Sequence, residues 1–265
     1  MSHTPASLLE ESNRLLQHTW TYFVRQMPVG VTTRMPGLLI ANGRSSLPFM
    51  NMAIPTSPIA DAADLHARID EAASHFRKDG VHWLMVISDD VVPGALRDQL
   101  TSVCAEAGLQ YALPMFGMAT DVLLDPVRPL PVLDLRVVAT AALREAVGDI
   151  NAAGYAMPAE LFRPVTVLPE FWKDMVGVVG LVDGTPVATA SVALIDEIAY
   201  VALVATHPDH QRKGYAEAVM RRALDESAKA WGPRRTVLHA TAAGQPVYRR
   251  MGYADTIRFD AFGGE

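Results

Sequence analysis

Between the apolar run Ile198–Thr206 and a helical pattern that reaches Ala230 lies the hexapeptide Gln211-Arg212-Lys213-Gly214-Tyr215-Ala216. A strand that turns directly into a helix leaves the helix's first amides unpaired and aimed into the turn, where the macrodipole adds partial positive charge. Such a turn takes anions. Gly214 lets the backbone approach a phosphate closely, Ala216 is small enough not to intervene, and Arg212 and Lys213 add positive charge. A ligand of pyrophosphate size fits that description. The order Gly-x-x-x-x-Gly-Lys-Ser/Thr is absent, and no Gly-x-Gly-x-x-Gly follows a strand pattern, which disfavours ATP and NAD.

Other chemistries find less support. The eight histidines and one cysteine show no metal-ligand spacing such as His-Glu-x-x-His, so no metal is expected. No Gly-x-Ser-x-Gly turn exists, and Cys104 lies far from the hexapeptide in an apolar helical pattern, where a buried thiol is expected. A covalent route is therefore not expected.

The elements that must position the hexapeptide are readable from periodicity. Apolar residues at helical spacing mark residues 7–27 as an amphipathic helix, followed by strand patterns at Leu38–Asn42 and Phe49–Ile54. A helix follows from about Asp61, its N-cap, to Lys78, then a strand at His82–Ser88, a helix near Gly94–Ala107 and a strand within Gln110–Leu124. Asp125–Pro131 holds three prolines in seven residues, which suits an extended connector and a domain boundary. Beyond it come a strand (Val132–Val138), a helix (Thr140–Ala153), an irregular stretch to Pro169, and two strands joined by a turn at Asp183-Gly184. The strand Ile198–Thr206, the hexapeptide and its helix lead to a strand at Thr236–Ala240, a short helix from about Gln245 to Met251 and a last strand, Ile257–Phe262.

Composition sets the outer bounds. The chain has 265 residues, half of them apolar, with 23 Lys and Arg against 29 Asp and Glu, a formal charge of −6. That is an ordinary globular balance, large enough for one big domain or two average ones, and an acidic total argues against nucleic acid as a partner. No apolar run approaches the roughly 18–20 residues needed to cross a bilayer, so no membrane is expected. The first residues, MSHTPASLLEE, carry acids where an export signal needs a basic start, so no export is implied, and a single cysteine, unable to form an internal disulfide, points to a reducing cytoplasm. The total hides a segregation: residues 207–258 hold ten basic groups against five acidic ones, a local excess around the hexapeptide.

Together Thr206-His207-Pro208, Gln211-x-x-Gly214-x-Ala216 and Ala240-Thr241-x-x-Gly244-x-x-Val247-Tyr248-x-x-x-Gly252-Tyr253 resemble the GNAT superfamily of acyl-CoA-dependent N-acetyltransferases. The resemblance covers about residues 131–265. It implies a mixed α/β fold, a splayed β-sheet flanked by helices, for residues 132–265; before it the residues themselves read as a connector at 126–131 and a smaller α/β domain at 1–125. That first domain lacks the Gln-x-x-Gly-x-Ala loop, and it reads either as a degenerate GNAT-like partner or as an unrelated packing domain. The acceptor is expected between the halves.

The resemblance also implies roles. The backbone of Val204, Ala205 and Thr206 would pair with the pantetheine of acetyl-CoA, and Gln211, Arg212, Lys213, Gly214, Tyr215 and Ala216 would hold its pyrophosphate. Tyr248 would be the general acid that protonates the leaving thiolate after direct attack by an unidentified primary amine. Glu197, at the start of the strand leading to the loop, is the best-placed candidate base, ahead of Asp196, His207 and His239. The alternative is a non-catalytic acyl-CoA-binding regulatory module, and the chain is expected as a monomer or homodimer.

Overall fold

A computed structural model describes residues 5–265; the reading of an absent export signal falls partly on residues 1–4, outside that range. Helix α1 (Pro5–Arg25) buries Leu15, Leu16, Phe23 and Val24 on one face. The antiparallel strands β1 (Val31–Met35), β2 (Leu38–Asn42) and β3 (Asn51–Pro55) follow, then α2 (Ala62–Arg77) and β4 (Trp83–Ser88), which runs parallel to β3. The helix expected over Gly94–Ala107 is two, α3 (Gly94–Arg97) and α4 (Leu100–Glu106), before β5 (Gln110–Thr120). β1 was not expected: none of its VTTRM residues is fully buried, so it carries no apolar alternation to read.

The chain continues through β6 (Asp134–Val137), α5 (Ala141–Gly154) and α6 (Ala159–Thr166), the last within the stretch expected to be irregular and built around Pro164. Strands β7 (Met175–Val182), β8 (Thr185–Ile195) and β9 (Ile198–Thr206) form an antiparallel meander. Then come α7 (Tyr215–Trp231), β10 (Thr236–Thr241), α8 (Gln245–Arg250) and β11 (Ala254–Gly264). Among the described residues no helix is long and apolar enough to cross a membrane.

Two compact units interleave along this path. One takes the described residues up to Gly117 with 240–243 and 256–265; the other takes 118–239 and 244–255. They are of similar size. The break expected at 126–131 falls inside the second unit, and the last strand, expected with residues 132–265, belongs to the first. The reasons are physical. β11 pairs antiparallel with β4 from Phe259↔Ser88 to Gly264↔Trp83 and buries Phe259, Ala261 and Phe262. The connector's approach is tied to the second unit, where Leu124 N–H donates to the Met251 carbonyl (2.9 Å), the Arg221 guanidinium to the Leu124 carbonyl (2.7 Å), and Asp121 pairs with Arg235 (2.7 Å).

In the first unit the strands lie in the order β1-β2-β3-β4-β11-β5. Successive residues of a strand enter opposite faces. Thus Trp83, Met85 and Ile87 join a core with Leu65, Ile69 and Phe76 of α2, while Leu84 and Val86 join another with Leu16 of α1. In the second unit the order is β10-β9-β8-β7-β6. Val219 of α7 packs against Gly180 on one face of the meander, and Asn151 of α5 reaches Thr189 on the other. Both units follow one path: an antiparallel strand, a crossover helix, then a parallel strand (β3-α2-β4 and β9-α7-β10).

Candidate functional site

The site begins where β9 parts from β10. Among the described residues these parallel strands pair at Thr236↔Ala199 and Val237↔Tyr200, leaving the rest of that edge of β9, toward Thr206, unpaired. A bulge lies in the unpaired stretch. On the other edge Thr189 faces Ala205 and Ser191 faces Ala202, so Ala190 stands opposite two residues, Leu203 and Val204. Leu203 takes φ +52°, a left-handed conformation that costs a non-glycine residue about 1–2 kcal/mol. Its carbonyl accepts from the Thr189 hydroxyl (2.9 Å) and from Asn151 Nδ2 (3.5 Å). A bulge bends its strand and increases its twist, which turns Val204–Thr206 away from the neighbour.

The turn after β9 leads into α7 as the sequence predicts. Gly214 stands at the N-cap with φ +86°, a conformation natural to glycine, and among the described residues no side chain caps the helix. Gln211, Arg212 and Lys213 are exposed, with Lys213 Nζ donating to the Asp209 carbonyl at 3.2 Å. Thr206 Oγ1 is buried without a partner. The corresponding helix of the first unit is closed. Asp61 caps α2 by accepting from Asp64 N–H (2.9 Å), the Asp64 carboxylate accepts from Ala60 N–H (2.9 Å), and the Arg68 guanidinium clasps Asp64 at 2.7 Å. The hydrogen bond from Arg68 holds the Asp64 carboxyl below its ordinary range. There two carboxylates stand where an anion would enter.

Tyr248, on α8, is buried, its ring 6.1 Å from that of Tyr253 in an edge-on contact. Gly244 makes room for it: a Cβ on Gly244 would stand 2.8 Å from Tyr248 Cε2 and 3.3 Å from the hydroxyl oxygen. Burial pushes the Tyr248 phenol above its ordinary value, and charge on Tyr155 or Tyr253 would push it further. Tyr155 follows Gly154, whose Cβ would stand 3.3 Å from Ala205 Cβ of β9. It stacks on Phe162 (6.0 Å, 18°), and desolvation raises its phenol although the residue is 40 % exposed. Tyr155 thus follows a residue that approaches Ala205, while Tyr248 lies on α8 between Gly244 and Tyr253.

Glu197 stands apart from the turn before α7. It occupies the β8–β9 turn with Asp196, both at positive φ, its side chain is 74 % exposed, and it pairs with Arg234. Nine residues of strand separate it from Thr206, about 30 Å at the usual rise. The candidate base is therefore a solvated turn residue. His239 Nδ1 is hydrogen-bonded to the Tyr200 hydroxyl (2.8 Å), and His207 accepts from Asp209 N–H (3.4 Å). Among the described residues no group of three or more His, Cys, Asp or Glu could hold a metal. Sequence reasoning missed Asn151, Thr189 and Tyr155. An asparagine within the apolar pattern of α5 was a signal for the first; the others carry none.

The family model of the acetyltransferase (GNAT) family matches residues 152–253, from the end of α5 to Tyr253. These residues form a GNAT domain. Acyl transfer from acetyl-CoA is the general chemistry of that family. Curated protein sequences offer no match. Solved structures resemble both halves of the chain. A GCN5-related N-acetyltransferase from Kribbella flavida is 24 % identical with a TM-score of 0.67, covering 95 % of each chain. A conserved protein of unknown function from Staphylococcus epidermidis is 13 % identical (TM-score 0.66, 89 % of this chain and 94 % of that one). A tandem GNAT protein from the clavulanic acid biosynthesis pathway is 12 % identical (TM-score 0.55, 90 % and 84 %). At these identities the likeness is one of fold. The site of the GNAT domain suits a CoA thioester on three counts: an unpaired strand edge, an uncapped helix N-terminus, and a buried hydroxyl, Thr206 Oγ1, without a partner.

Proposed function

We propose that the protein is an N-acetyltransferase that moves acetyl from acetyl-CoA to a primary amine by direct attack. The observation that carries this reading is the unpaired edge of β9 running into the uncapped N-terminus of α7. Acetyl-CoA supplies an acetyl group already activated as a thioester. The backbone of Val204, Ala205 and Thr206 pairs with pantetheine as an added strand, and the amides from Gln211 to Ala216, with Arg212 and Lys213, hold the pyrophosphate. An amide near Thr206 stabilises the oxyanion as the amine's lone pair attacks the carbonyl carbon. When the carbon–sulfur bond breaks, Tyr248 gives its phenolic proton to the thiolate; the amine's surplus proton leaves to water, through which Tyr248 is recharged.

Burial has two effects on this proton transfer. It keeps Tyr248 protonated throughout the neutral range, so the proton is always present. It also makes the phenol a weaker acid, widening the ordinary gap of about 1.5 pKa units to a thiol, roughly 2 kcal/mol. The thiolate leaves into the same desolvated space, which raises its proton affinity in parallel. With Glu197 distant, no side-chain base is assigned, and the amine enters in its neutral form. The first unit, its crossover helix closed by Asp61 and Asp64, serves as a degenerate GNAT-like partner that leaves CoA to the second.

Thiol release from acetyl-CoA over a panel of primary amines tests the reading. Turnover with at least one amine, reduced on the order of 10²–10⁴-fold in Tyr248→Phe, is the expected result. Wild-type turnover in Tyr248→Phe across pH removes the general-acid role. Tight acetyl-CoA binding with no turnover on any amine replaces the enzyme by a regulatory acyl-CoA-binding module.

A further inference from the structure

Asn151 lies inside α5, buried at 1 % exposure, where an apolar residue would satisfy the pattern of its helix. Its Nδ2 reaches three acceptors: the Val147 carbonyl (2.8 Å), the Thr189 hydroxyl (3.1 Å) and the Leu203 carbonyl (3.5 Å). Its Oδ1 is buried with no partner. Thr189 is fully buried on β8 and donates to the same Leu203 carbonyl. Two polar side chains from two elements, one leaving an acceptor unsatisfied, thus converge on one backbone oxygen. A buried polar group that is incompletely paired is costly, so its presence calls for a reason.

The carbonyl they hold is that of the bulged residue. Insertion of one residue reverses the facing of every residue after it, so the bulge decides which backbone groups of Val204, Ala205 and Thr206 point toward the unpaired side. Left-handed Leu203 is strained, and a regular register, with a single residue opposite Ala190, would relieve it. The Thr189 and Asn151 hydrogen bonds oppose that relaxation. Gly154, one turn beyond Asn151, brings α5 against Ala205 and confines the same segment from the helix side.

We infer that Asn151 and Thr189 are positioning residues that lock the Leu203 bulge and thereby aim the Val204–Thr206 backbone at the thioester arm of acetyl-CoA. This rests on the proposed function, since it concerns how that site is held. It separates the arm, which depends on the bulge, from the pyrophosphate, which depends on the turn before α7.

The two halves of the cosubstrate provide the test. Acetyl-CoA and 3′-phospho-ADP, its nucleotide half, are titrated calorimetrically into wild type, Thr189→Val, Thr189→Ser and Asn151→Leu, with thermal melts alongside. Thr189→Val and Asn151→Leu are expected to weaken acetyl-CoA about tenfold and to change 3′-phospho-ADP by less than about twofold; Thr189→Ser, which keeps the donor, binds as wild type. Unchanged acetyl-CoA affinity in Thr189→Val, equal weakening of both ligands, or a Thr189→Ser defect as large as that of Thr189→Val overturns the inference. If Thr189→Val does not fold, Asn151→Leu and Thr189→Ser carry the same comparison. Wild type that binds neither ligand overturns the proposed function itself, an outcome distinct from wild type that binds both and variants that match it.

Discussion

Replacing Gly244 by alanine should separate stability from activity. Gly244 has φ −81° and ψ −32°, an ordinary helical conformation at the N-cap of α8, so alanine meets no backbone strain there. On chain entropy the substitution would stabilise the fold by about 0.4–1 kcal/mol. The new Cβ, however, would lie 2.8 Å from Tyr248 Cε2, short of the roughly 3.5–4.0 Å of a comfortable carbon contact. The ring must retreat by about 0.7–1.2 Å. A shift near 1 Å in a reacting group costs on the order of 10²-fold in rate, about 2.7 kcal/mol of transition-state stabilisation. Gly244→Ala should therefore melt within a few degrees of wild type and turn over about a hundredfold more slowly. The assay is thiol release with an accepted amine, run as a double-mutant cycle with Tyr248→Phe. If the loss acts through the phenol, Gly244→Ala adds little once the hydroxyl is gone. Full activity in Gly244→Ala, or independent additive losses in the double variant, would refute the claim that this contact positions Tyr248.

Two further outcomes follow from the two crossover helices and the buried thiol. Acetyl-CoA should bind with a stoichiometry of one per chain by calorimetry, since Asp61 and Asp64 close α2 while α7 is open, and Gly214→Val, which forces a β-branched residue to φ +86°, should abolish that binding; two equivalent sites would contradict the reasoning. The Cys104 thiol is fully buried, and desolvation pushes its pKa up to about 12. Because the folded value is raised, the stabilisation is complete below the ordinary value near 8.5 and is lost as pH rises from there toward 12, by at most about 1.4 kcal/mol per pH unit. The native protein should leave a thiol reagent unreacted at pH 8 and react stoichiometrically in denaturant, and the alkaline loss of stability should be shallower in Cys104→Ala.

Most helices and strands are legible in the sequence because burial writes its period into the chain. β4 alternates between two cores, α7 buries one stripe, and Asp61 and Gly214 announce helix starts by their own chemistry. β1 and α6 escaped: the first is an exposed edge without alternation, the second a short helix interrupted by Pro164. Within the site, the anion turn and Tyr248 stand in short local motifs. Glu197 stands at the far end of a nine-residue strand from the turn, a separation the strand length already implied.

What the sequence by itself determined is whatever rests on neighbours within a turn or two: the strand-to-helix turn at Gly214, the apolar faces, the hairpins. Tertiary structure decided whatever rests on partners far along the chain. β11 pairs with β4, some 170 residues earlier in sequence, and so joins the first unit. The displaced carbonyl of the Leu203 bulge accepts hydrogen bonds from Thr189 and Asn151, 14 and 52 residues away. A backbone hydrogen bond carries no side-chain signature, so neither the exchange of a strand nor the register of a bulge leaves a local mark for the sequence to show.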